Sequence, residues 1–320
     1  MRLRRGVAIG AAAWLGACAL GPDPRGVPSL LDDYRREGPA FALTGIPNNL
    51  SGISYSAESG THFLVENGAG NLYEYSSDLG SQLRKFRLVG GPSRDFEAVA
   101  VLGNSELALA HEQNRVLIVT IPAGAADREL SVDPSDPEVQ ELVLPTPSKQ
   151  NRGLEGLCYD PAGNAGGGTF YAVQESSPRR IYRFDRPADD ANASFADGSL
   201  RVEEPFDAEA VFAGIADDLS GCAYDPRSGR LLVLSHRSSV LVDVSPRGEV
   251  VRVLRLPGAF WRGAAQYEGI TLGPAAELFL VSEPALFQRA SRALIFEYTG
   301  SGARSNRGGD ARRAQEGPVP

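Results

Sequence analysis

The chain has 320 residues and a formal charge of −8, with 42% hydrophobic and 22% charged residues. That apolar share supports a buried core and excludes a wholly disordered chain, while the acidic balance argues against a nucleic-acid partner, whose phosphates need a basic surface. With 36 Gly and 22 Pro, the composition fits many short strands joined by tight turns rather than long helices.

At the start of the chain, Arg2, Arg4 and Arg5 form a basic segment, and residues 6–14 form an apolar run. The run is far shorter than the ~20 residues of a membrane-spanning helix. It ends at Leu15-Gly16-Ala17-Cys18, which resembles the lipobox of bacterial lipoproteins. The resemblance implies cleavage after residue 17 and lipidation of Cys18. With Ala19 next, it also implies placement in the bacterial envelope, at the outer membrane facing the periplasm. Acyl chains buried at ~0.8 kcal/mol per CH₂ then anchor a domain that has no spanning segment. Loss of residues 1–17 removes three arginines and no acid, so the mature charge moves from −8 to −11. Residues 18–36 are read as the lipidated cysteine and a tether.

From residue 50 onward one pattern recurs five times. An apolar residue is followed by Glu or Ser, a small residue and a β-type run, then a turn and a second β-type run ending in an acid. The copies are Leu50-Ser51-Gly52-Ile53, Phe96-Glu97-Ala98-Val99, Leu154-Glu155-Gly156-Leu157, Leu219-Ser220-Gly221-Cys222 and Tyr267-Glu268-Gly269-Ile270. Fifteen positions after the Glu or Ser stand Glu66, Glu112, Ser235 and Glu283. In the third copy Glu175 comes five residues later, because residues 161–168 form a longer Gly-rich turn. A third run follows in each copy at 72–75, 116–119, 181–184, 240–244 and 294–298, and a fourth at 83–89, 141–144 and 250–256. Turn signals such as Ser59-Gly60, Asp225-Pro226 and Arg247-Gly248 punctuate them. Polar insertions at 122–150 and 185–217 are expected on the surface. No segment holds a 3.6 period beyond about two turns.

Four strands per unit, at spacings of 46, 58, 65 and 48 residues, is the arithmetic of propeller blades. The expected fold is therefore all-β: a five-bladed β-propeller of four-stranded antiparallel blades over residues 37–299. A ring avoids exposed sheet edges. The last copy lacks a fourth strand, which the run at 40–43 can supply, so an N-terminal strand closes the last blade. Residues 300–320, rich in Gly, Arg and Ser, are read as a disordered tail.

Antiparallel pairing brings the start of each first strand and the end of each second strand to one end of the ring. Glu97, Glu155, Glu268, Glu66, Glu112, Glu175 and Glu283 are thereby expected around one mouth of the channel. Carboxylates gathered in this way either raise some of their own pKa values or attract a cation. Hard oxygen ligands suit Ca²⁺, or Mg²⁺ where water completes the shell. Repetition in every blade equally fits a structural role, each Glu bonding backbone N–H groups of a neighbouring turn. His62, His111 and His236 lie in separate blades, which argues against zinc. His111 and His236 fall near the acidic mouth and are the candidates for a general base. No nucleophile elbow, phosphate loop or His-Glu-x-x-His motif is present. Trp261, in the connection to the last blade, is a candidate rim contact for a ligand.

Cys158 and Cys222 lie in the first strands of consecutive blades, offset by one position. Their thiols either meet between blades three and four, as a candidate disulfide, or point away from each other as buried free thiols.

The Leu-Ser-Gly-Ile-Ser-Tyr run at 50–55, Leu-Glu-Gly-Leu-Cys-Tyr-Asp-Pro at 154–161 and Tyr-Glu-Gly-Ile-Thr-Leu at 267–272 carry a wider likeness. The arrangement resembles the SdiA-regulated family of bacterial five-bladed propellers. That resemblance implies a calcium site and a distant relation to NHL-repeat propellers, and it brings no established enzymatic activity. The functional expectation is a lipid-anchored, Ca²⁺-binding propeller acting as a binding or scaffold module, with a protein or small molecule held at the acidic mouth. The alternative is a metal-dependent hydrolase of a small ester, lactone or phosphate, in which the cation polarises an oxygen or activates water.

Overall fold

The computed structural model describes residues 34–36, 41–145, 152–256, 266–283 and 294–300, less positions 44, 47–48, 125–126, 165, 189–190 and 276. Cys18, Trp261 and the C-terminal tail lie outside the described residues. The chain enters through β1 (Tyr34–Arg36) and β2 (Phe41–Ala42). A first sheet follows from β3 (Leu50–Ser56), β4 (Thr61–Glu66), β5 (Asn71–Tyr75) and β6 (Gln82–Val89). The second contains β7 (Phe96–Gly103), β8 (Glu106–His111), β9 (Arg115–Thr120) and, after β10 (Arg128–Ser131), β11 (Gln140–Val143). The third contains β12 (Leu154–Asp160), β13 (Thr169–Gln174), β14 (Arg180–Asp185) and, after β15 (Ala193–Ser194), β16 (Val202–Glu203). A short helix, α1 (Ala208–Phe212), leads to the fourth sheet: β17 (Gly221–Asp225), β18 (Arg230–Ser235), β19 (Val240–Val244) and β20 (Val250–Arg255). The fifth contains β21 (Gln266–Leu272), β22 (Leu278–Glu283) and β23 (Leu294–Gly300).

This is an all-β propeller. Within each sheet consecutive strands pair antiparallel, as short connections require. The first strands adjoin one another around a common axis: β3 with β7, β7 with β12, β12 with β17, β17 with β21, and β21 with β3. All five run from one end of the axis to a hairpin at the other, and four of them start at a bulge. The outer edge of the fifth sheet is filled from the N-terminus, where β1 and β2 both pair antiparallel with β23, Tyr34 opposite Gly300 and Phe41 opposite Ile295.

The core is a set of five apolar layers, one between each pair of neighbouring sheets. Period-2 alternation sends successive residues of one strand into different layers. Leu231 and Val233 pack with the third sheet, while Leu232 and Leu234 pack with the fifth. Each such side chain, fully buried, contributes ~1.5–3 kcal/mol.

The two insertions are more ordered than their polarity suggests. β10 leaves the second sheet and pairs in parallel with β6, the outer strand of the first; β15 leaves the third and pairs in parallel with β11 of the second. Both cover an otherwise open sheet edge. Several of their apolar residues are buried, Leu130 and Val132 in one, Ala193 and Leu200 in the other, as is Phe212 of α1, while Phe195 is exposed.

Candidate functional site: an acidic mouth at the bulged end

Four first strands begin with the same irregularity. Their registers shift between Leu50 and Gly52, Phe96 and Ala98, Leu154 and Gly156, and Tyr267 and Gly269. The extra residues are Ser51, Glu97, Glu155 and Glu268, the Glu/Ser of the repeat. A bulge residue leaves the ladder and re-aims its side chain. In the fourth sheet Ser220 stands just before β17, and its hydroxyl donates to the Tyr267 carbonyl at 2.8 Å.

A glycine at the start of four first strands, with Ala98 in its place in β7, sets how tightly the mouth closes. A Cβ on Gly52 would lie 2.8 Å from Ala98 Cα, and one on Gly156 would lie 2.8 Å from Cys222 N. On Gly221 it would lie 2.6 Å from the Glu268 carbonyl, and on Gly269 2.8 Å from the Ser51 carbonyl. Backbones of neighbouring sheets therefore meet here, and the cavity between them is only about 10 Å³, room for one water.

Glu155 is the centre of the electrostatics. Its carboxyl is pushed well above the ordinary carboxylate range, first by loss of water and then by the charges of Glu97, Glu268, Glu112 and Glu175. Four of the other six expected acids thus act on Glu155. Glu97 is buried and accepts from Asn67 Nδ2 at 2.5 Å. Glu112 accepts from Gly153 N at 2.9 Å. That approach needs glycine, since a Cβ at 153 would stand 1.5 Å from the Glu112 carbonyl oxygen. Burial pushes the Glu112 carboxyl up, against the pull of the Gly153 bond.

Arginines of the third and fourth sheets also reach these acids. Arg152 Nη1 lies 2.6 Å from both Glu175 oxygens, and Arg237 also bonds Glu175. Arg237 and His236 converge on Asp218, which is fully buried. His236 Nδ1 is 2.9 Å from Asp218 Oδ2 and 3.8 Å from Glu268 Oε2, without good hydrogen-bond alignment. Asp218 also accepts from the Ser235 hydroxyl and from Arg237 N, the latter at 3.1 Å. Burial works to raise its carboxyl, but His236, Ser235 and the Arg237 amide outweigh it and hold it below the usual value.

Two of the remaining expected residues go elsewhere. Glu66 is opposite Leu50, one register position short of where Glu112 and Glu175 stand relative to Phe96 and Leu154. A one-residue offset reverses the face, and Glu66 is buried in its own sheet, accepting from Tyr73 Oη at 2.6 Å and Asn71 Nδ2 at 2.8 Å. His111 is fully buried. Its Nδ1 accepts from Gln113 N at 3.1 Å, so Nε2 carries the proton and donates to Ser93 Oγ at 2.7 Å; Ser93 in turn donates to Asp95. The Ser93 proton therefore points at Asp95 and not at the imidazole. Glu283 ends β22 opposite Gln266.

Sequence reasoning missed Asp218, Arg152 and Arg237. Asp218 had a findable signal, since it precedes Ser220 by two positions, as Asp95 precedes Glu97. The arginines had none, because only the fold brings 152 and 237 to one carboxylate. Cys158 and Cys222 form a disulfide with Cα atoms 5.6 Å apart, joining β12 to β17.

Among the described residues no three His, Cys, Asp or Glu side chains stand close enough to make a ready coordination shell. The donor chemistry at Glu97, Glu155 and Glu268 is nonetheless all oxygen. A raised Glu155 amid four acids is the environment that a hard cation would relieve.

Comparison with known proteins agrees with the fold. The family described as SdiA-regulated matches residues 28–291. A luciferin-regenerating enzyme shares 14% identity over 84% of this chain and 96% of its own, with a TM-score of 0.52. Glutaminyl cyclase of Myxococcus xanthus shares 13% over 83% and 97%, with a TM-score of 0.51. At such identities the likeness shows the fold alone. A structure described as the calcium-binding protein regucalcin, from Agrobacterium tumefaciens, shares 15% over 82% and 95%, but its TM-score of 0.48 is too low for that description to bear on this chain.

Proposed function

The chain belongs to the SdiA-regulated family, and from that premise we propose that it is a five-bladed, calcium-binding propeller serving as a binding or scaffold module, tethered to the bacterial envelope through Cys18. The adjacency of β21 and β3 supports the blade number, since it leaves no gap for a further sheet between the last and the first. The observation that carries the cation reading is the set of bulges that turn Glu97, Glu155 and Glu268 out of their ladders at one end of the ring, where loss of water and the neighbouring glutamates push the Glu155 carboxyl up. Glu97, Glu155 and Glu268 are the residues that would hold the ion. Arg152 and Arg237 already neutralise Glu175, which leaves the ion to the other three. Bound there, Ca²⁺ would cancel the repulsion and fasten three blades to one point.

Calorimetric titration of the metal-free protein with Ca²⁺ tests this. One equivalent should bind, and Glu155→Gln and Glu97→Gln should each weaken binding by about tenfold or more, roughly 1.4 kcal/mol per tenfold. Absence of any saturable heat from the wild type would sink the reading.

A further inference from the structure

The other end of the channel, where the first strands reach their hairpins, holds a cavity of about 600 Å³, within the size range of small-molecule sites. We propose that it is a second binding site, for an uncharged molecule bearing a single hydrocarbon chain, separate from the acidic mouth. Its floor is Ile53, Val99, Leu157, Cys222 and Ile270, one residue from each first strand, and all five are buried. The same five residues border the 10 Å³ cavity on the acidic side. Backbone contacts at Gly52, Gly156, Gly221 and Gly269 seal that level. The cavity is thus a funnel that narrows to this floor, below which there is room for about one water.

The wall and rim define the ligand chemistry. Tyr55, Leu102, Tyr159, Tyr224, Leu272 and Pro274 give mainly apolar and aromatic surface. Polar groups near the floor already accept bonds between sheets: Ser54 Oγ from Val101 N and Thr271 Oγ1 from Tyr55 N. The charged lining residues are Glu58, Asp225 and Arg227, and Arg227 Nε donates to Asp225 at 2.9 Å. One negative charge remains over, so an anionic head group is disfavoured while a neutral apolar chain loses nothing by entering.

Strand directions place this funnel on the side where the chain leaves the fold. Tyr34 pairs with Gly300 at the hairpin end of β23, so the segments before β1 and after β23 both depart there. If Cys18 is lipidated, as the proposed function holds, the link from Cys18 to Tyr34 spans up to roughly 55 Å and the open funnel lies on the tethered side, where membrane-derived chains are encountered. That orientation rests on the anchor; the site itself does not.

The test uses the neutral dye Nile red with the full chain in EGTA, so that its outcome is independent of any cation at the acidic mouth. One equivalent should bind with a blue-shifted emission, and 1-dodecanol should displace it while dodecanoate does so at least about tenfold less well. Val101→Trp and Leu272→Trp, both at half-buried lining positions, should each weaken dye binding by about tenfold while keeping the wild-type circular dichroism and melting temperature. A readout that needs no variant is reduction of Cys158–Cys222 by a phosphine. Because Cys222 forms part of the floor, saturating 1-dodecanol should slow reduction about fivefold or more through blocked access. Unsaturable dye binding, equal displacement by the anion, undiminished binding in both folded variants, or an unchanged reduction rate would each overturn the proposal.

Discussion

At the scale of single residues, two desolvated groups give the protein opposite responses to pH. His62 is fully buried between Tyr55 and Phe279, with ring centroids 5.0 and 4.9 Å away. Burial pulls its pKa down to about 4, against the opposing effects of the Ser76 carbonyl and Glu277. Below 6.5 the unfolded chain takes up a proton that the folded imidazole refuses, so this stability is complete above pH 6.5 and is lost as pH falls towards 4. The full shift corresponds to about 3 kcal/mol. Glu155 behaves in the reverse sense. Its folded carboxyl holds a proton that the unfolded chain has released, so stability falls as pH rises beyond the ordinary carboxylate range. Thermal unfolding in EGTA between pH 4 and 8 separates the two. His62→Phe should flatten the acid-side decline, and Glu155→Gln should match the wild type near pH 4 and surpass it increasingly towards pH 8. Parallel pH profiles for wild type and both variants would remove these assignments.

At the scale of elements, the decisive device is the bulge with its following glycine. The bulge turns the Glu/Ser of four repeats out of the ladder, and the glycine lets the next backbone approach. In β7 the second part is relaxed, since Ala98 fills the place that Gly52, Gly156 and Gly269 occupy elsewhere, and it is buried without a bulge being lost. Gly156→Ala should therefore cost at the upper end of ~1–3 kcal/mol, because its Cβ would meet backbone atoms of Gly221 and Cys222. Ala98→Gly should cost only ~0.5–1 kcal/mol. Urea unfolding of the two variants measures the contrast, and equal losses would show that the approach at Gly156 is not limiting. The strands and their glycines were legible in the sequence, because a repeated pattern reports a repeated constraint. The side to which each acid turns was less so. Glu66 and Glu112 share an offset of fifteen from their repeat residue, yet the hairpin joining Ser56 to Thr61 is longer than the one joining Gly103 to Glu106, and β7 has a second register shift between Val101 and Gly103. Counting along the chain cannot see a bulge, and one residue of slip was enough to send Glu66 into its own sheet.

At the scale of the whole molecule, the ring has two unlike mouths. One is closed and acidic, with arginines of the third and fourth sheets reaching its acids; the other is open and apolar, on the side where both described ends of the chain leave. The anchor reading belongs to this scale. Metabolic labelling with radioactive palmitate should mark the wild-type chain and move it to the membrane fraction, and Cys18→Ser should abolish both; a labelled serine variant would dismiss Cys18 as the site. By itself the sequence determined the repeat, the strand content and a closing strand from the N-terminus, because each follows from local periodicity and from the alternation of strand direction. Only the tertiary structure decided which carboxylates face one another, that Arg152 and Arg237 claim Glu175, that Cys158 and Cys222 meet, and that the far mouth is a narrowing apolar funnel. These depend on the angle and register between sheets that are distant in sequence, and the pattern within any one sheet carries no record of either.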